Sequence, residues 1–302
     1  MPAALRVAIL AWYDARGRSL PFRGTTDPYA VLVSEVMAQQ TQISRVAAAW
    51  SAFMATFPTI EDLAAASPAD VLRAWRGMGY NRRALSLREA ARVVVNEHGG
   101  RLPSRVAELE RLPGVGPYTA RAVAAIAFRL PVGAVDTNIR RVLARSIGGA
   151  LDALPPAELQ RVADAAVPAD RPADWTHALM DIGATFCRTT GPLCPECPAV
   201  RWCRYAAQVP IGGPAVPTAK LGRTAKRGRP AVAVPFAASS RWLRGRIMDR
   251  LRDADGAGWV TLGDPIGVHD AAAVDHALRT LADEGLVELN ATDPRRARLP
   301  IA

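Results

Sequence analysis

The chain has 302 residues, enough for about two domains with a sizeable core, and half of them are hydrophobic. No apolar run reaches the roughly 20 residues of a membrane-spanning helix, and charges break the N-terminal MPAALRVAILAWYDARGR too early for a signal peptide, so a cytoplasmic protein is expected. The formal charge of +10 favours a polyanionic partner, nucleic acid before an anionic membrane; of 38 basic residues only Lys220 and Lys226 are lysines, so any chemistry before residue 210 lacks a lysine amine.

Residues 1–210 read as almost entirely helical. Ala, Leu, Arg and Val recur at helical spacing, and Pro or Gly marks the breaks at FPT (57–59), ASPAD (66–70) and HGGRLPS (98–104). Ser67 before PADVLRAW and Ser104 before RVAELERL are expected helix caps.

In DPYAVLVSEVMAQQTQISRV (27–46), Glu35 sits among Val31, Leu32, Val33, Val36 and Met37. A lone helical glutamate usually faces solvent, here together with Ser34. These neighbours leave little room for a polar face, however, and a carboxyl kept from water has a raised pKa and can serve as a general acid.

Within RLPGVGPYTARAVAAIAFRLPVGAVDTNIRRVLARS (111–146), a short helix is expected to end at Leu112. Pro113 to Pro117 then form a turn needing glycine conformations, and a second helix runs from near Tyr118 to about Pro131. Such a turn either simply joins two helices or presents backbone N–H groups to a phosphate. Asp136 opens the next helix. It is an N-cap on one reading, and on the other a catalytic carboxylate held beside the anchored phosphate.

Cys187, Cys194, Cys197 and Cys203 fall within seventeen residues, which points to metal rather than to disulfides. Four close thiolates suit zinc or an iron–sulfur cluster. The four histidines (His98, His177, His269, His276) have no ligand or triad spacing and read as structural or surface residues. Residues 209–238 form a basic Pro/Gly linker that either lies along phosphates or is a solvated tether. From 239 to 302, helix, short strand, helix and hairpin suggest a small α+β module of winged-helix type, either DNA-binding or a structural cap.

LPGVG, an apolar helix, and a Gly/Pro loop leading to an aspartate closely resemble the signature of the helix-hairpin-helix DNA glycosylases. SEVMAQQTQ (34–42), LPFRG (20–24) and WRGMGYNRRALSL (75–87) narrow the resemblance to the adenine DNA glycosylases (MutY) over about residues 5–210. The implied fold is mostly α and two-lobed. An iron–sulfur lobe would comprise 1–22 and 130–208, and a six-helix barrel lobe carrying the hairpin would comprise 23–129. The cysteine spacing C-x6-C-x2-C-x5-C resembles that of family members holding a [4Fe–4S] cluster, so the resemblance favours the cluster over zinc.

Carried onto this chain, the resemblance makes Glu35 the acid that protonates the departing adenine. Asp136 becomes the anion that stabilises or traps the sugar cation, and Tyr118 and Asn138 line the pocket. Arg23, Gln39, Gln40, Thr41, Tyr80, Gly114, Val115 and Gly116 would contact DNA, with Gln40 and Tyr80 filling the gap left by the extruded nucleotide. The endonuclease III branch carries a lysine at the position of Tyr118, so this chain is expected to be monofunctional and to leave an abasic site. The expected partner is double-stranded DNA with a mismatched adenine, met by a monomer near the bacterial nucleoid, with no membrane.

Three departures from the pattern stand out. Phe22 replaces a tryptophan and Asn81 replaces the second tyrosine of GYY. Residues 240–302 are too short for the MutT-like domain that reads 8-oxoguanine in typical members. The base opposite the adenine is therefore open, and a glycosylase of altered mismatch preference is an alternative. A non-catalytic iron–sulfur regulator is the alternative from another class.

Overall fold

A computed structural model describes residues 2–149, 154–209, 235–254, 256 and 258–301. Most of the linker expected at 209–238 therefore lies outside the described residues, as do both lysines. The described chain is mostly helical, and none of its helices is long and apolar enough to cross a membrane.

In chain order the helices are α1 (Ala3–Arg16), α2 (Pro28–Ala38), α3 (Ile43–Thr56), α4 (Ile60–Ala65), α5 (Pro68–Ala74), α6 (Arg82–His98), α7 (Val106–Leu109), α8 (Pro117–Ile126) and α9 (Thr137–Leu143). They continue with α10 (Pro156–Ala166), α11 (Pro172–Thr185), α12 (Arg204–Gln208), α13 (Ser240–Asp253) and α14 (Ala271–Asp283). Strands β1 (Val260–Thr261), β2 (Glu288–Leu289) and β3 (Arg296–Arg298) form an antiparallel sheet in the order β1-β3-β2.

Ser67 caps α5 as expected, accepting from the Asp70 amide at 3.1 Å ahead of Pro68. Ser104 does not cap α7. Arg105 holds that position without a side-chain bond, and α7 is a single turn ending at Leu109 rather than at Leu112. Helix α8 stops at Ile126, because the chain must unwind before Arg129, which takes a positive φ of 54°.

The chain divides into two compact units. One comprises Met1–Glu35, Pro103–Arg111 and Val115–Ala225; the other comprises Val36–Leu102, Leu112–Gly114 and Lys226–Ala302. Helix α8 and the first part of α2 thus group with α1 and α9–α12, and the residues after 239 group with α3–α6.

In the first unit α11 is central, packed on α1, α8 and α9 around Leu5, Ile9, Leu143, Trp175, Leu179 and Ile182. Its approach to α9 is close: a side chain at Gly183 would place a Cβ 2.5 Å from that of Asn138. One buried ionic cluster ties the chain after α1 to this helix. Asp181, with no exposure, accepts Arg18 Nε at 2.6 Å and both Arg23 terminal nitrogens at 2.7 and 2.6 Å.

Burial would raise the Asp181 pKa, but the bonds from Arg23 and Arg18 prevail and hold it below the usual range. A depressed carboxylate pKa contributes stability above the unfolded value near 3.8, and that contribution is lost as pH falls. Asp181→Asn leaves the enclosed Arg23 cation without an anion, so a loss of about 3 kcal/mol is expected in denaturant melts at neutral pH. The difference should shrink below pH 4.

In the second unit α6 packs on α4 and α5, and Phe53, Phe57 and Trp75 pack edge to face, with Phe53 at 5.1 and 5.7 Å from the other two. Leu243, Ile247, Leu251, Val274, Leu278 and Leu281 close α13 against α14.

Candidate active site

Glu35 lies in the last turns of α2 and is 8% exposed, and every residue from Tyr29 to Met37 is buried. Ser34, the other polar residue there, satisfies its hydroxyl on the Val31 carbonyl at 2.8 Å. Glu35 has a different partner: the Tyr118 hydroxyl donates to its Oε2 at 2.8 Å from the first turn of α8. Burial pushes the Glu35 pKa up to about 7. The Tyr118 bond and the Arg23 charge act against this rise, and the Asp136 charge adds to it. Tyr118 itself is pushed well above its ordinary value by burial and then by the two carboxylates, so it stays a neutral donor.

Asp136 meets the first of its two expectations. It is the N-cap of α9, where Oδ1 accepts the Ile139 amide at 2.6 Å. Its Oδ2 accepts Asn138 Nδ2 at 2.9 Å. Burial raises the Asp136 pKa, while these bonds and the Arg141 charge pull it back. The two acids therefore differ in support: Glu35 is enclosed with one donor, and Asp136 has two donors and a nearby cation.

The first unit thus brings Glu35, Tyr118, Asp136 and Asn138 together. Arg23, expected on DNA, is held in this unit by Asp181. Both its terminal nitrogens are bound to Asp181, its side chain is 7% exposed, and its effect on the site is the field it adds beside Glu35. Sequence reading missed Asp181, although ALMDIGATF carries the same signal as Glu35, a carboxylate inside an apolar helix. It also missed Arg141. Arg141 Nη2 donates to Asn138 Oδ1 at 2.8 Å and to the Gly183 carbonyl at 2.7 Å, and its Nε donates to the Cys187 carbonyl.

His177 is buried, and burial together with Arg23 lowers its pKa to about 3, so it stays neutral.

The four cysteines, with Arg145 and Tyr205, line one small cavity. Arg145 is 1% exposed. Its Nη1 donates to Cys187 Sγ at 3.5 Å and to the Arg188 carbonyl at 2.7 Å, with its guanidinium 4.7 Å from the Tyr205 ring centroid. Its Nε has no hydrogen-bond partner, and among the described residues carbonyls and a thiol meet the guanidinium where a carboxylate would be usual.

Of the residues expected on DNA, Gln39, Gln40, Thr41, Tyr80 and Gly114 lie in the second unit, and Val115 and Gly116 in the first. Gln40 and Tyr80 have φ of 54° and 47°, two of the three non-glycine residues in the left-handed region among those described. Holding such residues there costs about 1–3 kcal/mol each, a strain that concentrates at working surfaces.

Arg83, another residue missed from sequence, fixes this geometry. Its Nη1 donates to the carbonyls of Val36, Met37 and Gln39 at 2.7, 3.0 and 2.6 Å, closing the C-terminus of α2. Its Nη2 donates to Thr41 Oγ1 at 3.0 Å and to the carbonyls of Met78 and Gly79.

In the hairpin, only Gly114 needs its glycine. Its φ is +76°, and a Cβ would fall 2.7 Å from that of Ser86. Gly116 is exposed and extended with space around it, so the expectation of a second special conformation is corrected. Val115 is buried beneath the turn at 6% exposure.

Residues 33–161 match the model of the HhH-GPD superfamily of base excision DNA repair proteins. An adenine DNA glycosylase of Mycolicibacterium smegmatis is 40% identical over 289 residues, covering 94% of this chain and 93% of its own. The human adenine DNA glycosylase is 42% identical over 218 residues, 68% of this chain but 40% of its own length. A solved thermostable thymine-DNA glycosylase is 32% identical with a TM-score of 0.63, covering 68% of this chain and 98% of its own.

Proposed function

Since the chain belongs to the adenine DNA glycosylase family of the HhH-GPD superfamily, we propose that it hydrolyses the N-glycosidic bond of adenine mispaired with 8-oxoguanine or guanine in duplex DNA, leaving an abasic site. The observation that carries the reading is the enclosed pair of acids: Glu35 bonded to Tyr118 and raised to about 7, within the field of Asp136.

A stacked base is out of reach, so the nucleotide rotates out at a cost of a few kcal/mol. Glu35 donates its proton to a ring nitrogen of the flipped adenine. The C1′–N9 bond then breaks with its electron pair leaving on the base, and positive charge spreads over C1′ and the ring oxygen. The Asp136 carboxylate faces that charge, the division of labour between two carboxyls used in sugar hydrolysis. Water adds at C1′ and its proton restores Glu35. Tyr118 has no amine with which to form a Schiff base, and the sequence has no lysine before residue 220, so the strand stays intact. Gln40 and Tyr80 are assigned to the vacated space in the duplex, and the Gly114–Gly116 turn to the backbone.

Cys187, Cys194, Cys197 and Cys203 would hold a [4Fe–4S] cluster. Two observations fit. The four cysteines line one small cavity. Arg145, a buried cation met by no carboxylate among the described residues, would gain an anion from thiolate-bound iron–sulfur in the adjoining space. When bound, the cluster holds the loop bearing Arg188, Arg201 and Arg204. The small unit of α13, α14 and β1–β3 is assigned as winged-helix-like.

Incubation with duplexes pairing adenine to 8-oxoguanine, guanine, cytosine or thymine, followed by alkali, is expected to reveal breaks at adenine in the first two. Borohydride is expected to trap no adduct, and the protein to be brown with iron and sulfide in equal amounts. Intact strands in the first two duplexes would overturn the activity; a colourless zinc protein would overturn the cluster.

A further inference from the structure

A cavity of about 770 Å³ opens in the second unit between α13, the Gly79–Arg83 turn and Gln39–Gln40, within the ~300–1,000 Å³ range of ligand clefts. Its lining holds five arginines and one acid, Glu284. Arg244 is taken by Glu284 at 2.8 and 2.5 Å, and Arg83 by backbone carbonyls. Arg246 shares Asp249 at 2.5 Å and is exposed. Arg82 and Arg241 are exposed and have no carboxylate bond among the described residues, and the Arg241 guanidinium stands 4.9 Å over the ring of Tyr80. Arg82 feels only the field of Glu284, and an exposed aromatic with an arginine free of carboxylate bonds over its ring is the chemistry that takes phosphates and bases together.

The position of α13 over this turn is built in. Arg252, 8% exposed, donates from Nε to the Leu72 carbonyl and from Nη2 to Asn81 Oδ1, both at 2.8 Å. Arg76 Nη2 reaches Asp253 Oδ1 at 2.6 Å. Asn81, which departs from the family pattern, is therefore the anchor of the C-terminal module, and the anchor leaves Arg241 and Arg246 facing the cavity.

We propose that this cavity is a DNA-binding site, with Arg82, Arg241 and Arg246 on backbone phosphates and α13 part of the substrate interface rather than a structural cap. The proposal rests on the glycosylase reading above. The test is equilibrium binding of the full-length protein to a matched duplex between 50 and about 200 mM salt, where each phosphate contact contributes a slope of roughly 0.9 in log affinity against log salt.

Arg241→Ala and Arg82→Ala, on opposite walls, are each expected to weaken binding several-fold and to flatten the slope by about one contact. Arg279→Ala, an exposed arginine of α14 outside the cavity, removes the same charge and is expected to change neither. Wild-type affinity and slope in both cavity variants, or an equal loss in Arg279→Ala, overturns the proposal. The two readings fail separately. A protein that excises adenine but binds equally in both cavity variants loses this site alone. One that never excises adenine but loses duplex affinity in the cavity variants loses the glycosylase reading alone.

Discussion

Glu35→Gln is expected to slow single-turnover excision of adenine by about 10²–10⁴-fold while leaving duplex affinity unchanged, since the amide keeps the shape and the Tyr118 contact but has no acidic proton. The wild-type pH profile should show the same group. With its pKa raised to about 7, the protonated, active form dominates below that pH, and kcat/KM falls about tenfold per pH unit above it. Tyr118→Phe removes a bond that favours the carboxylate, so its descending limb moves to higher pH.

With rising pH stability falls together with activity, whereas the Glu35→Gln substitution moves the two in opposite directions. Between the ordinary value of 4.5 and about 7, the folded protein holds a proton that the unfolded chain has released, so stability falls as pH rises through that window. Above it, Glu35→Gln is expected to be more stable than wild type by up to about 3 kcal/mol, and near pH 4 the two should melt alike. An inactive variant that gains nothing at pH 8 would mean that Glu35 is not held in a desolvated place.

The residues that could be read from sequence are those whose signal is local. Glu35 is out of keeping with five apolar neighbours, and Asp136 stands directly before the helix TNIRRVL. In both cases burial and capping follow from the immediate sequence. The order helix, strand, helix, hairpin after residue 239 is legible for the same reason. What escaped are choices between distant residues. Arg23 could face phosphate or a carboxylate 158 positions away, and only the folded unit shows Asp181 waiting for it.

Asn81 is similar. From sequence it is a missing tyrosine, whereas in the structure it is the acceptor for an arginine 171 residues later. Helix ends were lost where backbone geometry outweighs propensity, at Arg129 and at the one-turn α7.

Asp136 is the position where two readings of one residue make opposite predictions. If its only work is to cap α9, Asp136→Asn is nearly silent, because an asparagine oxygen still accepts the Ile139 amide and caps as well as aspartate does. Asp136→Ala would then cost about 1 kcal/mol of stability and nothing in chemistry beyond it. If the carboxylate also faces the sugar cation, Asp136→Asn removes the charge while keeping the cap, and electrostatic stabilisation of this kind is worth about 10²–10³-fold in rate.

The surroundings favour the second outcome. Asn138 Nδ2, Arg141 and the Ile139 amide all favour the ionised form, against burial that raises the pKa, and a cap alone does not need this concentration of donors in an enclosed place. Asp136→Asn, which keeps the cap but faces Asn138 Nδ2 with an amide nitrogen, is therefore expected to lose only about 1 kcal/mol of stability, to bind mismatched duplex normally, and to lose at least a hundredfold in single-turnover excision. An Asp136→Asn protein that cleaves at the wild-type rate would reduce Asp136 to a helix cap and leave the oxocarbenium ion without its counter-charge.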